Sequence, residues 1–308
     1  MSLEAMVHIK KALSTLNPQQ VRNLSERSVR IALHARSQEG FQRLEQFLLQ
    51  DLAPARRSQS ATLLVRAPIP PGQVVDLAVY DEDMVAPPNG LFLRQPHGRE
   101  FVLRALAQHP ELGVALAKSF VPFRRPFIHR VIAKVSRENT FFSVTTALPD
   151  VIPSIIELPW AIAEFASDTA FLTMNQVRMA FLIAAASDRE VGYRQQKSEI
   201  ATVIGSAFGW RALARQLVGK IPLGGGLLAK AAVSYAGTKV LGLSLERYYR
   251  IGFTFTRHER DRMYWEAFRQ GRAMALKFLS SIRPELAKRF EKEIDGERAI
   301  AAATPRAT

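Results

Sequence analysis

The sequence predicts an α+β protein, predominantly α-helical, with a small N-terminal α/β unit followed by a multi-helix domain. Three observations lead there. Short apolar runs bounded by Pro, Gly and acidic residues, the mark of strands, fall within residues 27–85. A proline- and glycine-rich stretch, "APPNGLFLRQPHG" (86–98), closes that region. Beyond it, the chain reads as almost wholly helical as far as residue 298.

In order, residues 1–26 read as a helical leader broken at Asn17-Pro18. "RSVRIALHA" (27–35) reads as a buried strand, and "SQEGFQRLEQFLLQDL" (37–52) places Phe41, Leu44, Leu48 and Leu52 at helical spacing. "SATLLVRAP" and "QVVDLAVYDED" supply two further strands. Strand, helix, strand and strand make a small α/β unit over 27–98. Helices are expected at 99–109, 110–118, 126–147, 160–187, 195–219, 226–250, 257–281 and 284–298, within a helical domain spanning 99–300. Thr256 and Glu259 have the spacing of a capping box that starts one of them. Pro149, Pro153 and Pro159 break the chain between helices, and residues 301–308 read as a disordered tail.

Composition narrows the function. The 308 residues carry 42 Lys+Arg against 28 Asp+Glu, a net charge of +14. That surplus favours a polyanion: nucleic acid, anionic lipid or an acidic protein. With no cysteine, disulfides, thiolate metal sites and a cysteine nucleophile are excluded. No signal peptide is read at the N-terminus. The longest segments free of charged residues, 139–149 and 200–210, are 11 residues each. A spanning helix needs about 20 mostly apolar residues, so a simple membrane anchor is not expected.

Chemical motifs are largely wanting. A phosphate loop belongs after the first strand, but "HARSQEGF" offers Gly40 without a lysine or a following hydroxyl. "HERDR" (258–262) begins like a zinc helix but has Arg262 at the second ligand position, and "GLSLE" (242–246) lacks the second glycine of a nucleophile elbow. No catalytic residue, metal ligand or cofactor is assigned. One constellation stands out: Glu157, Glu164, Asp168, Asn175 and Arg178 share an arc of one helix. Glu164, Asp168, Asn175 and Arg178 are a candidate polar seam for a cation or a basic segment, with a solvated helix face as the alternative. Pro222, Gly224, Gly225 and Gly226 read as a tight turn between helices.

From about residue 122 to 252 four pieces carry a family resemblance: "ALPDVIPSIIELPWAIAEFASDTAFLTMNQVRMAFLIAAA", "GSAFGWRALARQLVGKIP", "IPLGGGLLAKAAVSYAGTKVLG" and "ERYYRIG". Together they resemble the bacterial family known as domain of unknown function 697, whose members stand alone, follow GTPase domains or form part of YcjF-type inner-membrane proteins. The resemblance implies a helical domain linked to GTPases and membranes, and no established chemistry. By analogy, residues 27–85 could be a GTPase-like remnant without its phosphate loop; an unrelated α/β unit is the alternative.

Three functions follow. The first is a non-catalytic module at a membrane surface or on a protein partner, a GTPase among the candidates. Between Val191 and Gly252 nine basic residues face two acidic ones, and Trp210, Arg211, Arg215, Lys220, Lys230 and Lys239 are the candidate anionic-surface contacts. On this reading the protein is cytoplasmic and peripheral on the inner membrane face. The second is nucleic-acid binding through Arg124, Arg125, Arg130, Lys134 and Arg137, without a recognisable reading motif. The third is a nucleotide-dependent enzyme, against which the missing motifs count.

Overall fold

The computed structural model describes residues 3–85, 87–94, 98–148, 168–205 and 226–292. Two N-terminal helices, α1 (Leu3–Thr15) and α2 (Pro18–Glu26), meet at Asn17, whose side chain caps α2 by accepting from the Gln19 N–H at 2.9 Å. Pro18 then sits in the first turn, where no intrahelical N–H is needed. A four-stranded sheet follows: β1 (Ile31–His34), β2 (Leu64–Arg66), β3 (Leu77–Asp81) and β4 (Leu91–Leu93). All three pairings are parallel and the order is β2-β1-β3-β4. Two helices, α3 (Gln38–Leu48) and α4 (Pro54–Ala61), join β1 to β2.

The helical part comprises α5 (Gly98–Gln108), α6 (Gly113–Ser119), α7 (Val121–Thr145) and α8 (Asp168–Ala186). It continues through α9 (residues 197–205), α10 (Gly226–Ile251), α11 (Arg257–Ile282) and α12 (residues 284–292). The predicted class therefore holds: a small sheet near the N-terminus and a mostly helical chain. The Thr256–Glu259 capping box is present in both directions, the Thr256 N–H donating to Glu259 Oε2 at 2.8 Å and the Glu259 N–H to Thr256 Oγ1 at 3.3 Å.

Three local expectations need correction. The 86–98 stretch is not only a separator, because Leu91–Leu93 pairs with β3. Residues 54–61 form a helix that periodicity does not reveal, since Ser60 is its one buried side chain. The helix expected from 126 begins at Val121 and carries Pro126 inside it. Pro126 loses a single bond close to the N-terminus, where the preceding N–H groups lack partners in any case. Helix α10 runs from Gly226, as the expected helix over 226–250 does, while Pro222, Gly224 and Gly225 of the expected turn lie outside the described residues.

Helix α8 is apolar nearly all round, so it is covered on every side. Helices α1, α2, α6, α7 and α10 all pack on it. Its span Thr169–Ala186 is long and apolar enough to cross a membrane by length and composition, and 83% of it is buried inside the protein. One continuous core runs from Leu16 through Leu33, Leu44 and Phe123 to Phe181 and Leu245, joining sheet and helices. Helices α10 and α11 are in close contact at Gly271, where a Cβ would lie 2.6 Å from Tyr235 Cβ and 3.0 Å from the Ala232 backbone.

Candidate functional site

In an open parallel sheet, ligands bind beyond the carboxyl ends of the strands where strand order reverses. Here that point lies between β1 and β3. It is occupied by the chain itself. Asp81, the last residue of β3 and 2% exposed, accepts from Arg43 Nε at 3.3 Å and also from Arg43 Nη2. Asp83 accepts from the same guanidinium at 3.3 Å. Gly40 is required beside them, because a Cβ there would stand 2.8 Å from both Asp81 Oδ2 and Ala35 Cβ. The His34 ring stacks on Tyr80 at 4.7 Å, and burial holds its pKa below the usual histidine value. At the start of α3, Ser37 Oγ takes the Gly40 N–H, and Glu39 lies in the first turn. A phosphate arriving here would meet three carboxylates and a guanidinium already paired.

Of the predicted polar seam, Asn175 enters a buried hydrogen-bond network. Glu164 lies outside the described residues, and Asp168 opens α8. Asn175, 1% exposed, donates through Nδ2 to Asn139 Oδ1 at 2.9 Å. Asn139 Nδ2 in turn donates to Thr238 Oγ1 at 2.9 Å, and Gln176 Nε2 donates to the same hydroxyl at 3.0 Å. One turn away, the Ser143 and Ser234 hydroxyls are 2.7 Å apart. Asn175 therefore belongs to a buried network joining α7, α8 and α10 rather than to a solvated face. Asn175 Oδ1, Gln176 Oε1 and the Ser136 and Thr173 hydroxyls keep unused hydrogen-bonding capacity. Arg178 faces Glu138 electrostatically; burial raises the Glu138 pKa, and Arg178, Lys134 and Arg137 oppose that rise. Among the described residues no group of three His, Asp or Glu side chains could hold a metal.

Of the predicted anionic-surface contacts, Trp210, Arg211, Arg215 and Lys220 lie outside the described residues. Lys230 is half-buried. Lys239 is engaged within the fold: Nζ donates to Gln270 Oε1 across α10–α11 and sits 5.7 Å from the Tyr235 ring centroid. Burial lowers its pKa, with Glu266 acting the other way. It is packing material more than a free surface charge. The basic cluster of α7 is likewise partly committed. Arg130 Nη1 donates to the Leu106 carbonyl at 2.6 Å, and Lys134 and Arg125 lie 3.9 Å from Glu138 and Glu246.

The turn from α10 to α11 has a different character. Tyr248, Ile251 and Phe253 are 44%, 43% and 72% exposed, a concentration of apolar side chains held out into solvent. Gly252 between them has φ of 80°, which a side chain would resist. Residues 247–262 contain five arginines against Glu259 and Asp261. Arg247 pairs with Glu259 at 3.2 Å and lies over the Phe255 ring at 4.5 Å, and Arg250 pairs with buried Glu246 at 2.8 Å. Arg257, Arg260 and Arg262 are exposed and form no ion pair among the described residues. The motif "RYYRIGFTFTRHER" (247–260) is plain in the sequence, but composition does not say that its apolar side chains face outward. No family model matches the chain, and neither a curated protein nor a solved structure is detectably similar to it.

Proposed function

We propose that the protein is a non-catalytic helical module that acts at an anionic membrane surface, through the α10–α11 turn and the basic surface around it. One observation carries this reading: Tyr248, Ile251 and Phe253 are exposed, and the adjoining start of α11 carries Arg257, Arg260 and Arg262, exposed and without an ion pair among the described residues. Aromatic rings suit the level of the lipid headgroups, and arginines near an anionic leaflet contribute about 1 kcal/mol each. Inserting a phenylalanine that is otherwise left in water adds roughly 1.5–3 kcal/mol when its burial is complete. The plugged crevice of the sheet argues against a nucleotide-dependent enzyme.

The test is co-sedimentation with vesicles of phosphatidylcholine alone and of phosphatidylcholine with phosphatidylserine. Binding should require the anionic lipid and weaken as salt rises, because exposed charges are screened over about 8 Å at physiological ionic strength. Phe253→Ser should reduce affinity by about tenfold or more while the protein stays folded. A wild-type protein that does not pellet with anionic vesicles at low salt would refute the proposal and turn the search toward an acidic protein partner.

A further inference from the structure

The turn between α10 and α11 is tied shut by its own two helices. Helix α10 ends at Ile251, and Gly252, at φ of 80°, returns its N–H to the Tyr248 carbonyl at 2.8 Å. That left-handed cap stops the helix and redirects the chain. Residues 253–256 then lead into α11. Arg247, near the end of α10, spans them: its Nη1 donates to Glu259 Oε1 at 3.2 Å, in the first turn of α11. The same guanidinium lies 4.5 Å from the Phe255 ring centroid. The other Glu259 oxygen accepts from the Thr256 N–H at 2.8 Å and from the Thr256 hydroxyl at 3.0 Å. Bonds from Thr256 foremost, and then from Arg247, hold the Glu259 carboxyl below the usual carboxylate range, so it is ionised at neutral pH.

These ties leave the apolar side chains of the turn outside them. Phe255 is drawn under the guanidinium, while Phe253, two residues earlier, is largely exposed and makes no ring contact among the described residues. A phenylalanine on a free loop gains by folding back onto the nearest apolar surface, and a loop pinned at both ends is kept from doing so. A turn ordered in advance also avoids the entropy otherwise lost when it is immobilised on binding. We propose that Arg247 and Glu259 are positioning residues, a clasp that holds Ile251 and Phe253 outward for insertion into an anionic bilayer. The inference rests on the membrane reading and adds a consequence to it. One negative charge within this basic patch strengthens lipid binding, the opposite of what net charge alone predicts.

Two charge removals, two residues apart on α11, separate geometry from charge in co-sedimentation with vesicles of phosphatidylcholine and phosphatidylserine. Asp261 is exposed and forms no ion pair among the described residues, so Asp261→Asn changes charge alone and should bind up to about fivefold more tightly than wild type. Glu259→Gln removes the same negative charge and keeps a residue that completes a capping box, but it loses the ion pair. It should melt within a few degrees of wild type and bind roughly threefold or more weakly, because the turn is no longer ordered in advance. Should Glu259→Gln melt early, Arg247→Lys takes its place. Net charge is then unchanged, but an ammonium offers Glu259 only a point charge and does not lie flat on Phe255, so binding should again weaken roughly threefold. If wild type pellets and a folded Glu259→Gln binds at least as tightly as wild type, or Arg247→Lys in its place binds as wild type does, the clasp is overturned and the membrane reading stands. Wild-type protein that does not pellet with these vesicles at low salt overturns both.

Discussion

Replacing Gly271 by alanine tests how tightly α10 and α11 are joined, and so how firmly the turn between them is held. An added methyl carbon would lie 2.6 Å from Tyr235 Cβ and 3.0 Å from both Ala232 Cα and the Ala232 carbonyl oxygen. Carbon atoms prefer about 3.5–4.0 Å, so the helices would have to separate by roughly 0.5–1 Å. Two of the three contacts are backbone, which no rotamer change relieves. Overpacking of this kind costs about 1–3 kcal/mol, and the better helix propensity of alanine returns up to about 1 kcal/mol. The net expectation is a loss of up to about 2 kcal/mol for alanine, and a larger loss for valine. For a chain of this size that corresponds to a fall in melting temperature of several degrees at most for alanine. Gly205 is the control: it is helical, nothing among the described residues lies within 4 Å of its Cβ position, and Gly205→Ala should be neutral or stabilising. Calorimetric melts of both variants decide the matter. If Gly271→Ala gains stability as Gly205→Ala does, the two helices do not meet where they are placed.

Two further outcomes follow from buried polar groups. Asn139→Ala removes the link between Asn175 and Thr238 and leaves an unpaired amide in the core, so a loss of about 1–3 kcal/mol is expected in chemical denaturation; an unchanged midpoint would show that the seam is wet. His34 and His129 both have pKa values lowered first of all by burial, from a usual 6.5. The unfolded chain therefore takes up protons that the folded one refuses, so stability should fall as pH drops below about 6.5 and stop falling once pH passes the lowered folded values. His34→Gln should flatten that slope in pH-dependent melts, and an unchanged slope would show that His34 titrates normally.

Long, strongly patterned helices were legible because many residues repeat the same signal; α10 and α11 start at Gly226 and Arg257, the positions their periodicity and capping box indicate. Short elements were not. Leu91–Leu93 becomes a strand only by pairing with β3, and the polar helix Pro54–Ala61 is held by neighbours rather than by an apolar stripe of its own. The start of α7 was also missed: Pro122 sits in its first turn, where proline is tolerated, and Pro126 lies inside the helix. Asn175 could be picked out, but its partner Asn139 lies 36 residues earlier, and Asn139 in turn is 99 residues from Thr238. Composition records what a residue is, whereas convergence depends on topology.

The placement of the first two helices bears on synthesis. Thr15 touches Met174 across 159 residues of sequence, and Tyr193 donates to the Leu13 and Leu16 carbonyls from a comparable distance along the chain. At a translation rate of about 5–20 residues per second, α1 and α2 emerge roughly 10–30 s before the α8 surface that buries Ile9, Ala12 and Leu16. During that interval an apolar stripe is displayed at the ribosome exit with nothing of its own chain to cover it. Nascent chains stalled before residue 168 should therefore recruit holding chaperones through α1 and α2, and chains that have cleared residue 196 should release them.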